Sequence, residues 1–261
     1  MRRVRLPARR AVREAHARQG RPAAGWYRIA VDRLALRIEH RDVEPRDEPS
    51  PTGFVRLEQG RGSAVLLTPD EWEPGERLPL VTVFHGAGRQ DEMLVKACRD
   101  EPARRRALFL VPRSVDLTWD LITGLGEEDL EFLEYAWDLI YRRYPIDGER
   151  QVLMGYSDGA SYALSMALSN PGFFDAALCW AAGFVVVDRS AVGSSAPKPR
   201  LYLEYGTHDE LFPFEQIAVP MRDNLRQAGY ELEFSVDEGG RHWPSGSFQG
   251  EALGWYFGER G

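Results

Sequence analysis

Residues 153–160 read Leu-Met-Gly-Tyr-Ser-Asp-Gly-Ala, and no other stretch limits so tightly what this chain can fold into. Ahead of them, Gln151-Val152-Leu153-Met154 is a short apolar run of the kind a buried parallel strand needs. Behind them, Ala160, Tyr162, Ala163, Met166 and Ala167 recur at helical spacing until Asn170-Pro171-Gly172 stops the helix. A strand must therefore become a helix within about one turn, and Gly155, Ser157 and Gly159 fall at its tip as G-x-S-x-G. A serine there sits in strained backbone, and its neighbours two residues either side must be very small. The turn lifts Oγ clear of the sheet and points the next backbone N–H, that of Asp158, into the same space. An ordinary glycine-rich turn has the same spacing; the strand before and the helix after give the motif its weight.

The rest of the chain supplies a matching frame. Residues 53–58 and 63–68 are strand-like and joined by Gly60-Arg61-Gly62, which reads as a hairpin. From residue 79 strands and helices alternate. Strands are predicted near 79–85, 107–112, 151–156, 176–182, 200–205 and 231–237, and helices near 91–101, 127–143, 159–169, 215–228 and 247–257. Two antiparallel strands followed by a βα series predict an α/β fold: a mostly parallel, doubly wound sheet with an antiparallel N-terminal edge. Residues 26–38 are apolar enough to be helix or strand, and 41–52 form a charged, proline-broken linker. At 261 residues the expectation is one domain over 26–261, preceded by an Arg-rich leader at 1–25.

Composition removes several classes. Residues 1–21 carry eight Arg against the single acid Glu14, so a net charge of −7 hides a strongly acidic remainder. That start has no apolar run behind its charges, so it is not a secretory signal. Aromatic interleaving and a second basic patch are missing, so no nucleic-acid partner is expected. It reads as a disordered leader or as a start codon assigned too early. No stretch reaches the 18 or so uncharged apolar residues that span a bilayer, so no membrane partner is expected. Cys98 and Cys179 read as two buried thiols without metal spacing, which fits a reducing, cytoplasmic compartment.

A nucleophilic serine needs a general base and a third group to orient it. In a sheet of this kind they follow in the order Ser, acid, His. Of five histidines, only His208 and His242 come after Ser157. His242 lies in the glycine-rich loop that follows the last predicted strand, where this topology gathers its active residues. His208 adjoins Asp209, the natural orienting carboxylate. The reading is therefore Asp209 as acid and His242 as base, with Glu210 as the alternative acid and His208 as a loop side chain near it. Leu80-Val81-Thr82-Val83-Phe84 ends in His85-Gly86-Ala87-Gly88. There glycine lets the backbone approach a substrate oxygen at Gly86, and the Ala87 N–H can join that of Asp158 as an oxyanion donor. His85 is expected to hydrogen-bond this loop into shape.

Taken in order, His85-Gly86-Ala87-Gly88, Gly155-Tyr156-Ser157-Asp158-Gly159-Ala160, Gly206-Thr207 with Asp209 and Pro213, and His242-Trp243-Pro244 resemble a known group. Residues 75–256 look like the serine α/β-hydrolases of the phospholipase/carboxylesterase type, and like the related polyhydroxybutyrate-depolymerase and feruloyl-esterase group. The resemblance implies an α/β-hydrolase fold and a serine esterase. It implies Ser157 as nucleophile, Asp209 and His242 completing the triad, and Ala87 with Asp158 as oxyanion donors. The families carry a longer, more apolar residue at the Ala87 position, and Thr118-Trp119-Asp120 matches their substrate loop only loosely. The chemistry needs no metal or organic cofactor, and the partner expected is a small-molecule ester. Only residues 183–199 separate the strands where many lipases insert a cap, so no large cap and an open cleft are expected, with Trp119 and Trp243 as walls of the acyl or aryl pocket. A thioesterase or peptidase on the same triad, or a non-catalytic binding protein of this fold, are the alternative readings.

Overall fold

In a computed structural model, the structure describes residues 29–31, 34–36, 50–123, 127–191, 193–244 and 246–258. The Arg-rich leader at 1–25 and most of the 41–52 linker lie outside the described residues. Near the N-terminus come β1 (Ile29–Val31) and the hairpin β2 (Phe54–Gln59) and β3 (Gly62–Leu67). Then follow β4 (Leu78–Phe84), α1 (Asp91–Ala97), α2 (Glu101–Arg105) and β5 (Leu108–Arg113). After α3 (Asp120–Thr123) and α4 (Glu128–Arg143), β6 (Ile146–Tyr156) leads into α5 (Asp158–Ser169). The chain closes with β7 (Ala176–Trp180), β8 (Val186–Asp188), β9 (Arg200–Gly206), α6 (Ala218–Gln227), β10 (Leu232–Asp237) and α7 (Phe248–Phe257).

Eight strands form one sheet in the order β10-β9-β7-β6-β4-β5-β3-β2. All neighbours run parallel except β2 with β3 and β3 with β5, so the predicted hairpin is the antiparallel edge. The central strands β4 and β7 are buried at every position, because helices cover both faces and neither face meets water. On α4, Leu130, Leu133, Ala136, Trp137 and Ile140 recur at helical spacing and are buried, while acidic residues fill its first turn.

Two details depart from the expected boundaries, and one open reading is decided. The helix predicted at 91–101 is two short helices, because Pro102 has no N–H to continue a ladder and restarts the chain at the beginning of α2. Strand β6 starts at Ile146, five residues early, with polar Asp147–Arg150 taken up in a register irregularity against β4. The apolar run at 26–38 contributes strand β1, parallel to β8 in a separate two-stranded sheet.

Helix α5 is buried on nearly every side, and its own serines explain how. Ser161, Ser165 and Ser169 form a stripe at i, i+4 and i+8. Their hydroxyls accept the backbone N–H groups of Gly183, Val186 and Asp188 at 2.9, 3.0 and 2.8 Å. Residues 183–188 are thus laid along the helix instead of rising over the sheet as a cap. Asp188 then accepts the N–H groups of Leu34 and Ala35 at 2.9 and 3.1 Å, and Asn170 accepts that of Leu36 at 2.8 Å, which docks the N-terminal segment on the same surface.

Candidate active site

The site is built at the C-terminal ends of β4, β6, β9 and β10, where their connections converge. Ser157 caps α5 with φ 54° and ψ −116°, a conformation that costs about 1–3 kcal/mol for a residue with a side chain. The sheet imposes it. A methyl at Gly155 would strike the backbone of Gly159, and one at Gly159 would strike the carbonyls of Phe84 and His85. Both glycines are therefore steric requirements of strand and helix passing this close. The Ser157 N–H donates to the Trp180 carbonyl at 2.9 Å, locking the elbow to β7. The next N–H along, that of Asp158, has no acceptor among the described residues and points from the positive end of α5.

His242 links the serine to the acid. Its Nε2 lies 2.8 Å from Ser157 Oγ, and its Nδ1 lies 2.8 Å from Asp209 Oδ2. The second oxygen of Asp209 accepts the N–H groups of Leu211 and Phe212, both at 2.8 Å. Burial pushes the Asp209 carboxyl up, but the hydrogen bonds from His242, Phe212 and Leu211 outweigh it and hold the group below the usual carboxylate range. The loops carrying Asp209 and His242 are latched together. The Thr207 N–H donates to Asp237, the His208 N–H to Gly240, and the Gly239 N–H to the Thr207 hydroxyl. Trp180 Nε1 donates to the His242 carbonyl at 2.7 Å, and the Phe212 ring stands edge-on to the imidazole at 5.1 Å. His208 is exposed, and its backbone N–H ties its loop to Gly240. Glu210 is exposed as well.

The loop after β4 faces the serine from the other side. His85 is fully buried; its Nδ1 donates to the Gly86 carbonyl and its Nε2 accepts the Ser114 N–H at 3.0 Å. Burial holds its pKa low, so the ring is a neutral strut. Gly86 and Ala87 line a cleft of about 320 Å³ that opens beside Ser157. Buried Leu94 of α1 and Phe248 of α7 form its apolar depth, and the exposed Met93, Leu211 and Trp243 stand at its mouth. No Lys, Arg, Asp or Glu is among its lining residues.

One expected wall is corrected. Trp243 is 60% exposed and lines the cleft, but Trp119 is 1% exposed and does not. The Trp119 ring stacks on Tyr162 at 5.2 Å, meets Phe84 edge-on at 5.0 Å, and donates through Nε1 to the His85 carbonyl at 2.9 Å. It is the packing under the His85 loop. Sequence reasoning missed Trp180 and Phe212, which touch His242 and Asp209, and placed Thr118 only in a loosely matching loop, not against Asp158. Trp180 carries a weak signal, as the last residue of a buried strand beside the elbow; Phe212 carries none. Among the described residues no cluster of His, Cys, Asp and Glu could hold a metal ion. Cys98 and Cys179 are buried and unbridged, and burial pushes the Cys98 thiol up to about 12.

No family model and no curated protein matches the chain. Solved structures do. S-formylglutathione hydrolase from Staphylococcus aureus superposes with a TM-score of 0.58 at 12% identity, over 81% of this chain and 97% of that one. A carboxylesterase from Mesorhizobium loti gives 0.59 at 17% identity, over 79% and 99%. Thermogutta terrifontis esterase 2, solved phosphorylated by paraoxon, gives 0.57 at 16% identity, over 82% and 95%. With the sheet order and its antiparallel edge, these matches identify the α/β-hydrolase fold.

Proposed function

We propose that the protein is a serine carboxylesterase that hydrolyses small or soluble neutral esters through an acyl-enzyme. One observation carries the reading: an unbroken hydrogen-bonded line from Ser157 Oγ through both nitrogens of His242 to Asp209, opening on a cleft. Several of the proteins that share the fold are named as esterases, which supports the same chemistry.

In the first half-reaction His242 Nε2 takes the Ser157 proton as Oγ bonds to the ester carbonyl carbon. The negative charge that develops on the carbonyl oxygen is met by the N–H groups of Ala87 and Asp158, aided by the positive end of α5. His242 then gives its proton to the departing alcohol oxygen, leaving the acyl group on Oγ. Water repeats the sequence: His242 takes its proton, the oxygen attacks the acyl carbon, and the proton returns to Oγ as the acid leaves. Throughout, Asp209 stays ionised, holds the Nδ1–H tautomer and offsets the imidazolium charge.

The lining of the cleft narrows the substrate. Glutathione thioesters and acyl-CoA carry carboxylates or phosphates, and a site for them gains from Arg or Lys partners. None lines this cleft, whereas Met93, Leu94, Phe248 and Trp243 suit an uncharged acyl or aryl group. The test is direct. Wild-type protein should hydrolyse p-nitrophenyl acetate and take up one equivalent of paraoxon or a fluorophosphonate on Ser157, and Ser157→Ala should do neither while keeping its melting temperature. Equal labelling of the Ser157→Ala variant would sink the assignment.

A further inference from the structure

The segment after β5 touches both halves of the oxyanion site without reaching the cleft. The Leu117 carbonyl accepts the N–H of Gly88, next to Ala87, at 2.7 Å. The neighbouring Thr118 hydroxyl donates to Asp158 Oδ2 at 2.8 Å. Two consecutive residues thus hold the two loops whose N–H groups must converge on one oxygen. On the Ala87 side the segment has three more ties. Trp119 Nε1 donates to the His85 carbonyl, the Ser114 N–H donates to His85 Nε2, and Arg89 Nε donates to the Asp116 carbonyl at 2.7 Å.

The segment is itself anchored from below by a buried carboxylate. Asp129, 3% exposed, accepts the N–H of Val115 on one oxygen and that of Asp120 on the other, both at 2.7 Å. Asp120 returns the contact by accepting the N–H of Asp129 at 3.1 Å. The turn carrying Leu117 and Thr118 is therefore pinned at both ends.

We propose that Thr118 is a positioning residue for ester hydrolysis: its hydroxyl, bonded to the Asp158 carboxylate, sets the Asp158 N–H at a fixed distance from that of Ala87. This rests on the esterase reading above. The two donors follow different strands; the β4–β6 register and the packing of Gly159 on the end of β4 bring them together, and these contacts of the 117–118 turn tie the two loops to each other beyond the strand ends. The elbow fixes the Asp158 main chain through Ser157, and the Asp158 side chain gives the 117–118 turn a direct hold on it. A carboxylate tied to Thr118 is also kept from swinging toward the oxygen on which negative charge develops.

Thr118→Val keeps the shape and removes the donor, and Thr118→Ser keeps the donor. Steady-state kinetics with p-nitrophenyl acetate should show kcat falling roughly 10- to 100-fold in Thr118→Val with KM within about twofold, since misplacement by about 1 Å can cost two orders of magnitude. Thr118→Ser should recover kcat to within about threefold, a rescue that a role in packing would not give. Asp158→Ala should show the same kcat loss, and the double variant Thr118→Val/Asp158→Ala should lose no more than the worse single one. A kcat for Thr118→Val within twofold of wild type, a Thr118→Ser no better than Thr118→Val, or additive losses in the double variant would each overturn the proposal. Should Thr118→Val fail to fold, Asp158→Ala carries the test, and an unchanged kcat there overturns it. Fluorophosphonate labelling of the wild type separates the two ideas. A wild type that neither labels nor turns over ester removes the esterase reading and the brace with it. One that does both while Thr118→Val is unaffected removes the brace alone.

Discussion

At Asp209 a buried carboxylate is kept charged by three donors, two of them backbone N–H groups that no substitution elsewhere removes easily. Its folded pKa lies below the unfolded one, so the stability it contributes is present above the unfolded value and is lost only as pH falls through the folded one. Loss of activity between pH 7 and 5 would therefore not come from Asp209. Changing it to Asn keeps the shape and allows the wrong imidazole tautomer, so Asp209→Asn should lower turnover by about 10⁴. His208→Ala, one residue away and exposed, should cost less than about twofold in kcat, by the usual neutrality of surface positions. Steady-state assays of the two variants on p-nitrophenyl acetate check the pair. If His208→Ala were crippling and His242→Ala mild, the histidines would be exchanged in role.

At the scale of elements, the loop between β5 and α4 is held by Asp129, and holding a charge there has a cost. Burial raises the Asp129 carboxyl to about 6, with the Val115 N–H pulling the other way. The sign follows from linkage. A carboxyl raised above its unfolded value is most favourable to folding below the unfolded pKa, and that contribution is lost as pH rises through about 6. Asp129→Asn cannot titrate. The stability of wild type relative to Asp129→Asn should therefore rise when pH is lowered from 8 to 5, as urea unfolding at the two pH values would show. A difference independent of pH would mean that Asp129 keeps an ordinary carboxyl. The elbow gives a second test at this scale. Gly159→Ala would drive a methyl into the carbonyls of Phe84 and His85, an overpacking worth about 1–3 kcal/mol or more, measurable as a drop in melting temperature.

For the whole molecule, the course of residues 183–188 along α5 bears on substrate size. Residues 183–188, where a cap would begin, are fastened to the serine stripe of α5 and to β1, and so do not fold over the cleft. Among the described residues the exposed apolar side chains at the mouth are Met93, Leu211 and Trp243, and none of them lies on an inserted cap. Each buried CH₂ contributes about 0.8 kcal/mol, so a deep tunnel would raise kcat/KM steadily with acyl length, whereas this cleft should give a maximum at roughly C2 to C6. A series of p-nitrophenyl esters measured below and above the micelle concentration checks this. A steady climb through C12, or a jump at the interface, would require a lipase-like site.

The sequence alone determined whatever is written in local spacing. Gly155, Ser157 and Gly159 between an apolar run and a helical one specify the elbow, because backbone sterics there leave no other residues. The alternation of apolar runs and amphipathic helices specifies the sheet, and the Asp209 and His242 loops are found by their position after strands. Tertiary structure decided what depends on pairs far apart in the chain. Trp119 has the same look in the sequence as Trp243, yet one fills the space between Tyr162 and Phe84 and the other stands in solvent at the cleft. The buried serines of α5 read as ordinary small helix residues until residues 183–188 arrive to donate to them. Thr118 meets Asp158 across 40 residues of sequence, and Trp180 meets His242 across 62. Such contacts carry no periodicity. They arise when strand ends converge, and the energy that selects them is paid out only once the sheet has formed.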